Sequence, residues 1–208
     1  MDFIMDAGRL FVKGGLVMYP LLICSIIAIT ILIERVRMYN AATSNMETLK
    51  EGVAQLVPQG KWAELRQVCQ DDGGVAAELV ETAAAQNHDI DKQTQALQGA
   101  AGAIAARLRA HLNYLETIVT LAPLLGLLGT VTGMIGSFSV LSVSNGEPFA
   151  ITGGVGEALV ATATGLCVAI IALVIHAYLV QREDNLVSQM EEVGAVYMTA
   201  LVGDNNAA

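Results

Sequence analysis

Apolar residues form three long runs in the chain, and polar stretches separate them. The first run extends from Leu16 to Ile33, the second is uncharged from Thr117 to Gly146, and the third extends from Ala158 to Gln181. A helix needs about 20 mostly apolar residues to cross a bilayer, and each run approaches or exceeds that length. The pattern therefore predicts three transmembrane helices.

The polar stretch between the first two runs shows helical spacing. Lys61–Gln70 is amphipathic and is followed by Gly73 and Gly74, and Val75–Gln86 predicts a further short helix. From Asp91 a helically spaced stripe leads into the second run; its members are Leu97, Ala101, Ile104, Leu108, Leu112, Leu115 and Val119. If that helix is unbroken to about Leu141, it is roughly 75 Å long.

A similar stripe continues the third run beyond its apolar part; its members are Leu179, Leu186, Met190, Val193 and Tyr197. The predicted fold class is therefore all-α: an integral membrane protein with three transmembrane helices. Two of these helices extend as long helices into a helical cytoplasmic domain.

Basic residues at the ends of the runs predict the orientation. Arg107 and Arg109 precede the second run, Arg182 follows the third, and the connecting turn has neither Lys nor Arg. Because cytoplasmic flanks carry the excess of Lys and Arg, the turn lies outside and, with three spans, so does the N-terminus. The predicted order is an external segment (1–15), transmembrane helix 1 (16–33), a cytoplasmic helical domain (34–116), transmembrane helix 2 (117–144), an external turn (145–154), transmembrane helix 3 (155–181) and a cytoplasmic helix and tail (182–208).

Composition agrees with a membrane protein and argues against several other classes. Of the 208 residues 54% are hydrophobic and 15% charged, and the mean hydropathy is +0.54. A net charge of −9 argues against nucleic-acid binding. Three cysteines without a Cys-x-x-Cys pair indicate neither a disulfide framework nor a metal site, and we expect no cofactor. No zinc-protease or serine-hydrolase motif occurs, so the chain is not predicted to be an enzyme.

Polar residues inside the spans are the candidate functional residues. Thr120, Pro123, Thr130 and Ser137 share one face of span two, and Glu157 and Thr164 are seven residues apart on span three. Thr162 lies about 140° around the helix from Glu157, so spacing alone does not place the two on one surface. Burying a carboxylate in lipid costs about 2–3 kcal/mol or more, so Glu157 faces protein, water or an ion path. An interfacial acid reaching water remains the alternative for Glu157, and an interfacial imidazole is the favoured interpretation of His176.

Small residues recur along the same two spans. Span two has Gly126, Gly129, Gly133 and Gly136, and span three has Ala158, Ala161, Gly165, Ala169 and Ala172. Such residues let membrane helices approach closely. We expect most of them to pack the two spans together, while packing between subunits is the alternative for some.

Both of these spans resemble the ExbB/TolQ/MotA family of proton-channel subunits. The resemblance rests on Leu115–Met134, which contains Ala-Pro-Leu-Leu-Gly-Leu-Leu-Gly-Thr, and on Gly156–Leu166, which reads Gly-Glu-Ala-Leu-Val-Ala-Thr-Ala-Thr-Gly-Leu. Three spans with a cytoplasmic domain after the first match the ExbB and TolQ branch better than the four-span MotA branch.

The resemblance implies a subunit of an energy-coupling motor in the bacterial inner membrane. It implies a homo-pentamer around a single-span partner of the ExbD or TolR type, and a periplasmic TonB-like protein that receives the motion. The family's proton-pathway positions carry over onto Thr130, Glu157 and Thr162, with Thr120, Pro123, Ser137 and Thr164 as secondary candidates. A TolQ-like motor, a gliding-motility motor and a non-conducting membrane scaffold are the alternatives.

Overall fold

A computed structural model describes residues 11, 13–86, 90–143 and 148–205, with side chains outside 140–143, 148–151 and 204–205. All regular secondary structure among these residues is helical, which confirms the all-α prediction. The helices are α1 (Met18–Ala42), α2 (Met46–Leu56), α3 (Trp62–Asp72), α4 (Val75–Ala84), α5 (Ile90–Arg109), α6 (Leu112–Val143) and α7 (Pro148–Asn205).

The chain divides into two compact units. The first unit comprises Met1–Ile33 and His111–Tyr178, and the second comprises Glu34–Ala110 and Leu179–Ala208. Helix α6 belongs to the first unit and α2 to α5 belong to the second, while α1 and α7 contribute to both.

Short helices in the second unit begin and end close to where the sequence predicts. Helix α3 ends at Asp72 because Gly73 adopts a left-handed conformation (φ 68°), which a residue without a side chain does at little cost. The Asp72 carboxylate accepts a hydrogen bond from the backbone N–H of Gly74 at 3.1 Å, just before α4 begins. The two glycines therefore separate α3 from α4 as predicted.

The stripe that leads from residue 91 into the second run is divided between two helices, so the condition of one helix unbroken to about 141 is not met. Helix α5 ends at Arg109, and α6 begins at Leu112 after His111, which has a φ of 69°. In the second unit, the freed carbonyl groups at the end of α5 find partners on α1. The Arg35 guanidinium donates to the carbonyl oxygen of Arg107 at 3.1 Å, and the Tyr39 hydroxyl donates to that of Leu108 at 2.8 Å. These bonds satisfy acceptors that a helix end leaves open.

Helix α7 confirms the predicted extension beyond the third apolar run. It is unbroken to Asn205, and the five stripe residues from Leu179 to Tyr197 are buried. Its beginning differs from the prediction, because residues 148–154, expected to be a turn, are already helical. Residues 145–147 and most of the predicted external segment 1–15 lie outside the described residues.

Two helical segments of the described chain, Ile90–Ser139 and Thr152–Gly203, contain a stretch long and apolar enough to cross a membrane. Only 28% and 33% of the residues in these stretches are buried within the chain. Most residues of the two stretches are therefore not buried in the single chain, whereas the core helix of a soluble protein is mostly buried.

Candidate functional site

Small residues form the contact between α6 and α7 in the first unit. We call this set the seam; it consists of Ala122, Gly126, Gly129 and Gly133 on α6 and Gly154, Ala158, Ala161 and Gly165 on α7. A methyl group on Gly129 would overlap the Cβ of Ala161, and one on Gly165 would lie 2.6 Å from the carbonyl oxygen of Ala122. The backbones of the two helices therefore approach closely only because these side chains are small or absent.

The pairing along the seam shows that α6 and α7 are antiparallel. Gly165 lies against Ala122 and Gly126, whereas Gly154 lies against Gly133, so higher numbers on one helix meet lower numbers on the other. The predicted packing within the hairpin is thus confirmed for Gly126, Gly129, Gly133 and Gly165. A methyl group on Gly136 would meet no heavy atom within 4 Å among the described residues.

Thr162 bonds across the seam. Its Oγ1 lies 3.1 Å from the carbonyl oxygen of Gly126 on α6 and 3.1 Å from that of Ala158 on its own helix. Most threonines in membrane helices bond only to their own backbone. Thr162 therefore joins the two helices with a polar contact, a role that its spacing in the sequence does not reveal.

Thr130 and Thr162 lie on the same side of the hairpin, and Glu157 lies on the other. At roughly 100° per residue, Thr130 and Thr162 are each displaced about 70° from the seam in the same rotational sense. Because the helices are antiparallel, the same sense means the same side. Glu157 is displaced about 70° in the opposite sense, together with Thr164.

Helix α1 packs on the Glu157 side. Buried Val17, Met18 and Leu21 form an apolar cluster with the hairpin, and Leu125 on α6 and Val168 on α7 pack against that cluster. Both of these hairpin residues are displaced from the seam in the same sense as Glu157, whereas the buried cluster member Ala169 is displaced about 50° in the other sense. Because Glu157 itself lies against the turn before α1, the hairpin side that carries Thr130 and Thr162 is the one opposite this end of α1.

Glu157 is partly buried and lies against the turn that precedes α1. A methyl group on Gly15 would overlap the Glu157 carboxylate, and Gly15 has a left-handed φ of 71° that costs other residues about 1 kcal/mol or more. Helix α7 begins at Pro148, so Glu157 lies about 14 Å along the axis from its start. Glu157 is therefore well inside the helix.

The other candidate hydroxyls donate to carbonyl groups of their own helix. Thr130 donates to Leu127 at 2.7 Å, Ser137 to Gly133 at 3.0 Å, Thr120 to Thr117 at 2.9 Å and Thr164 to Val160 at 2.8 Å. A hydroxyl group that donates its proton in this way still has oxygen lone pairs, which can accept a hydrogen bond from water or coordinate a cation.

Ser137 and Pro123 differ from the other secondary candidates in their surroundings. The buried Ser137 side chain packs against Gly154, where an added methyl group would overlap its Oγ. Pro123 lies inside α6 and has no backbone N–H, so it cannot donate within the helix. Ser137 thus contributes to the hairpin contact, and Pro123 locally weakens the backbone bonding of α6.

A sequence profile of a proton-channel family matches residues 69–192 of this chain, which contain all of α6, α7 as far as residue 192 and every candidate proton-pathway residue named above. The chain belongs to the MotA/TolQ/ExbB proton channel family. Its family membership confirms the resemblance that the hairpin motifs indicate.

Individual members of the MotA/TolQ/ExbB family align over most of the chain. An ExbB-like biopolymer transport protein of Synechocystis sp. is 34% identical over 191 residues, which are 89% of this chain and 75% of that protein. A biopolymer transport protein of the ExbB type from Vibrio cholerae is 30% identical over 76% of this chain and 72% of its own length. The Tol-Pal system protein TolQ of Pseudomonas aeruginosa is also 30% identical, over 76% of this chain and 63% of its own length.

The polar residues of the hairpin lie within the MotA/TolQ/ExbB motifs and could be identified from the sequence. Gly15 could not be identified from the sequence as a neighbour of Glu157. The contact of Gly15 with Glu157 joins residues that are far apart in the chain. The only local signal is the Gly14–Gly15 pair before the first apolar run, which indicates a turn but not what the turn contacts.

Proposed function

We propose that this chain is the proton-channel subunit of an inner-membrane energy-coupling motor. The observation that carries the proposal is the placement of Thr130 and Thr162 on the hairpin side opposite α1, within a family described as proton channels. A side with hydroxyl groups that α1 leaves open is suited to line a hydrated path.

The proposed topology has three spans. Helices α6 and α7 supply two of them, and the N-terminal part of α1 supplies the third because its side chains expose apolar surface; these are Leu22, Ile23, Ile26, Ile27, Ile29 and Ile33. By the positive-inside rule, residues 34–116 and 182–208 are cytoplasmic and the α6–α7 turn is outside. The N-terminus is then outside as well.

In the proposed mechanism, protons enter from outside and are released into the cytoplasm. Thr130 and Thr162 offer acceptor oxygens along the path, whereas Glu157, on the other side of the same hairpin, is the proposed carboxylate toward the outer ends of these helices. None of the three proposed spans contains Asp, which is consistent with a partner that supplies the main proton-carrying carboxylate. A single-span partner of the ExbD or TolR type, held inside a pentamer of this chain, would supply that carboxylate and carry the motion outward.

The proposed recipient of that motion is a TonB-like periplasmic protein that drives outer-membrane transport. Support comes from the two relatives named for biopolymer transport, which are 34% and 30% identical to this chain. A Tol-Pal type motor is the second candidate, because the TolQ protein of Pseudomonas aeruginosa is 30% identical over a similar share of the chain. The two candidate motors would share the proposed proton channel and differ in the protein that receives the motion.

Proton flux into liposomes that contain the chain with its single-span partner tests the proposal. We expect Thr130→Ala to reduce the flux while the oligomer remains assembled, because the variant removes an acceptor from the path. Thr132→Ala is the matched control: its hydroxyl also bonds to its own helix, to Leu128 at 3.1 Å, but lies about 200° around α6 from Thr130.

Glu157→Ala should also reduce the flux, and Glu157→Gln should retain part of it if hydrogen bonding rather than charge is what matters. Unchanged flux in both Thr130→Ala and Glu157→Ala would count against the channel and favour a membrane scaffold. A native mass of the purified chain, with and without the partner, separates these cases further. A pentamer that captures the partner supports the motor, whereas a monomer or dimer that ignores it contradicts the proposed assembly.

A further inference from the structure

Gly15 provides the space that the Glu157 carboxylate occupies. A β-carbon on Gly15 would overlap Glu157 Oε1 and would lie 2.8 Å from Cδ. The φ of 71° at Gly15 is one that residues with side chains rarely adopt. Two independent features, the backbone conformation and the contact with the carboxylate, thus favour glycine here.

Surrounding contacts fix the turn that contains Gly15. The backbone N–H of Gly14 donates to the carbonyl oxygen of Phe11 at 3.3 Å, and that of Met18 donates to the carbonyl oxygen of Gly15 at 3.2 Å. The Phe11 ring packs edge-to-face on Tyr19, with 5.4 Å between ring centroids. Buried Met18 also belongs to the apolar cluster that packs α1 on the hairpin. Because the turn is fixed on both sides, an added side chain at Gly15 displaces the flexible Glu157 side chain rather than the backbone.

We propose that Gly15 is a positioning residue for Glu157. Its missing side chain lets the carboxylate lie against the turn of residues 14–16, and this contact sets where the carboxylate stands relative to the hairpin. The inference deepens the proposed function, since it assigns a residue that controls the proposed proton-path carboxylate. A larger residue at position 15 should move the carboxylate without altering any residue of the hairpin.

Chemical labelling of Glu157 tests the position of the carboxylate independently of transport. The probe is dicyclohexylcarbodiimide, applied to the full chain with its partner in membranes, and modification of Glu157 is measured by mass spectrometry. Gly15→Ala should change the labelling rate about threefold or more, by analogy with the strong effect of 1 Å displacements on reactive groups. An unchanged rate in Gly15→Ala overturns the proposal, whatever happens to the flux.

Matched variants separate displacement of the carboxylate from backbone strain. Gly73→Ala introduces a side chain at a similar φ of 68° but with no heavy atom within 4 Å of the new carbon, so it should leave Glu157 labelling unchanged. Gly15→Asn places a side chain beside Glu157 while tolerating the left-handed backbone, so it should change the labelling as Gly15→Ala does. Equal effects of Gly73→Ala and Gly15→Ala would overturn the proposal.

Proton flux tests whether the position of the Glu157 carboxylate affects proton conduction. Gly15→Ala should lower the flux about tenfold, and shortening the acid with Glu157→Asp in the same chain should restore part of it. If the two changes instead combine as independent effects, the positioning role is overturned. If labelling changes but flux is unaffected in both Gly15→Ala and Glu157→Ala, the positioning role holds and the proposed part of Glu157 in conduction fails.

Discussion

The side chain of Thr162 on α7 and the carbonyl group of Gly126 on α6 form a polar contact between two helices that meet mainly through small residues. The oxygen atoms are 3.1 Å apart. The absence of a side chain at Gly126 allows this contact, because a methyl group there would lie only 3.1 Å from the Cα of Thr162. One threonine therefore both joins the hairpin and borders the proposed path.

Thr162→Val should destabilise the hairpin, because valine has a similar shape but cannot donate. Bonds of this kind between membrane helices contribute about 0.6 kcal/mol on average and about 1.7 kcal/mol at most. Thermal unfolding in detergent measures the loss. Thr162→Ser should retain most of the stability, and Thr164→Val is the control because Thr164 donates to its own helix, to Val160 at 2.8 Å. Equal losses for Thr162→Val and Thr164→Val would contradict the cross-helix role.

Gly129→Ala should destabilise the seam by about 1–3 kcal/mol, the usual cost of overpacking. The added methyl group overlaps the Cβ of Ala161. Removing that carbon with Ala161→Gly in the same chain should recover part of the loss, which unfolding of single and double variants in detergent would measure. Gly136→Ala is the control, because no described atom lies within 4 Å of its added carbon. If Gly136→Ala destabilises the protein as much as Gly129→Ala does, overlap with Ala161 is not the cause of the loss.

Alkaline pH should destabilise the second unit through buried groups. Burial, followed by the charges of Glu81 and Asp72, raises the pKa of the Cys69 thiol from 9.0 to about 12, and burial also raises the pKa of Tyr197. A folded pKa above the unfolded value means that the stability is fully present below about pH 9 and is lost as pH rises toward 12.

Unfolding measured at intervals from pH 7 to pH 11 checks this dependence. Cys69→Ala should make the loss of stability above pH 9 smaller, because one of the responsible groups is gone. Cys167→Ala is the control, since Cys167 is exposed. If both variants follow the same curve as the unmodified chain, Cys69 does not contribute to the alkaline loss.

Tyr39→Phe should destabilise the end of α5 by about 1–2 kcal/mol, because it removes a buried donor and leaves the Leu108 carbonyl without that bond. Hydrogen exchange of the amides in the last turn of α5 should become faster, together with a lower melting temperature. Tyr114→Phe provides the comparison, because the Tyr114 side chain is 62% exposed. An unchanged exchange rate in Tyr39→Phe would show that the bond does not hold the helix end.

Periodic patterns and glycine positions were enough to predict much of the helical architecture. Every member of the stripe from Leu179 to Tyr197 is buried, and in the stripe from Leu97 to Val119 all are buried except Ala101 and Val119, which are half-buried. A helix that packs on one face must repeat its apolar residues every three or four positions. Gly73 ends α3 because a residue without a side chain adopts a left-handed φ readily. Small residues on both hairpin spans likewise predict their close contact.

The tertiary structure alone decides where α5 ends, because Ala110 and His111 carry no local signal for a break. The freed carbonyl groups are stabilised there by Arg35 and Tyr39 from more than sixty residues earlier in the chain.

By itself, the sequence determined the helical class, the apolar runs and the polar residues within them, since these follow from periodicity and side-chain chemistry along one helix. Only the tertiary structure decided that Thr130 and Thr162 share a side, that Glu157 lies against Gly15, and that Thr162 bonds to Gly126. Those relationships depend on the direction in which a second helix packs. The residues of a single helix do not encode that direction.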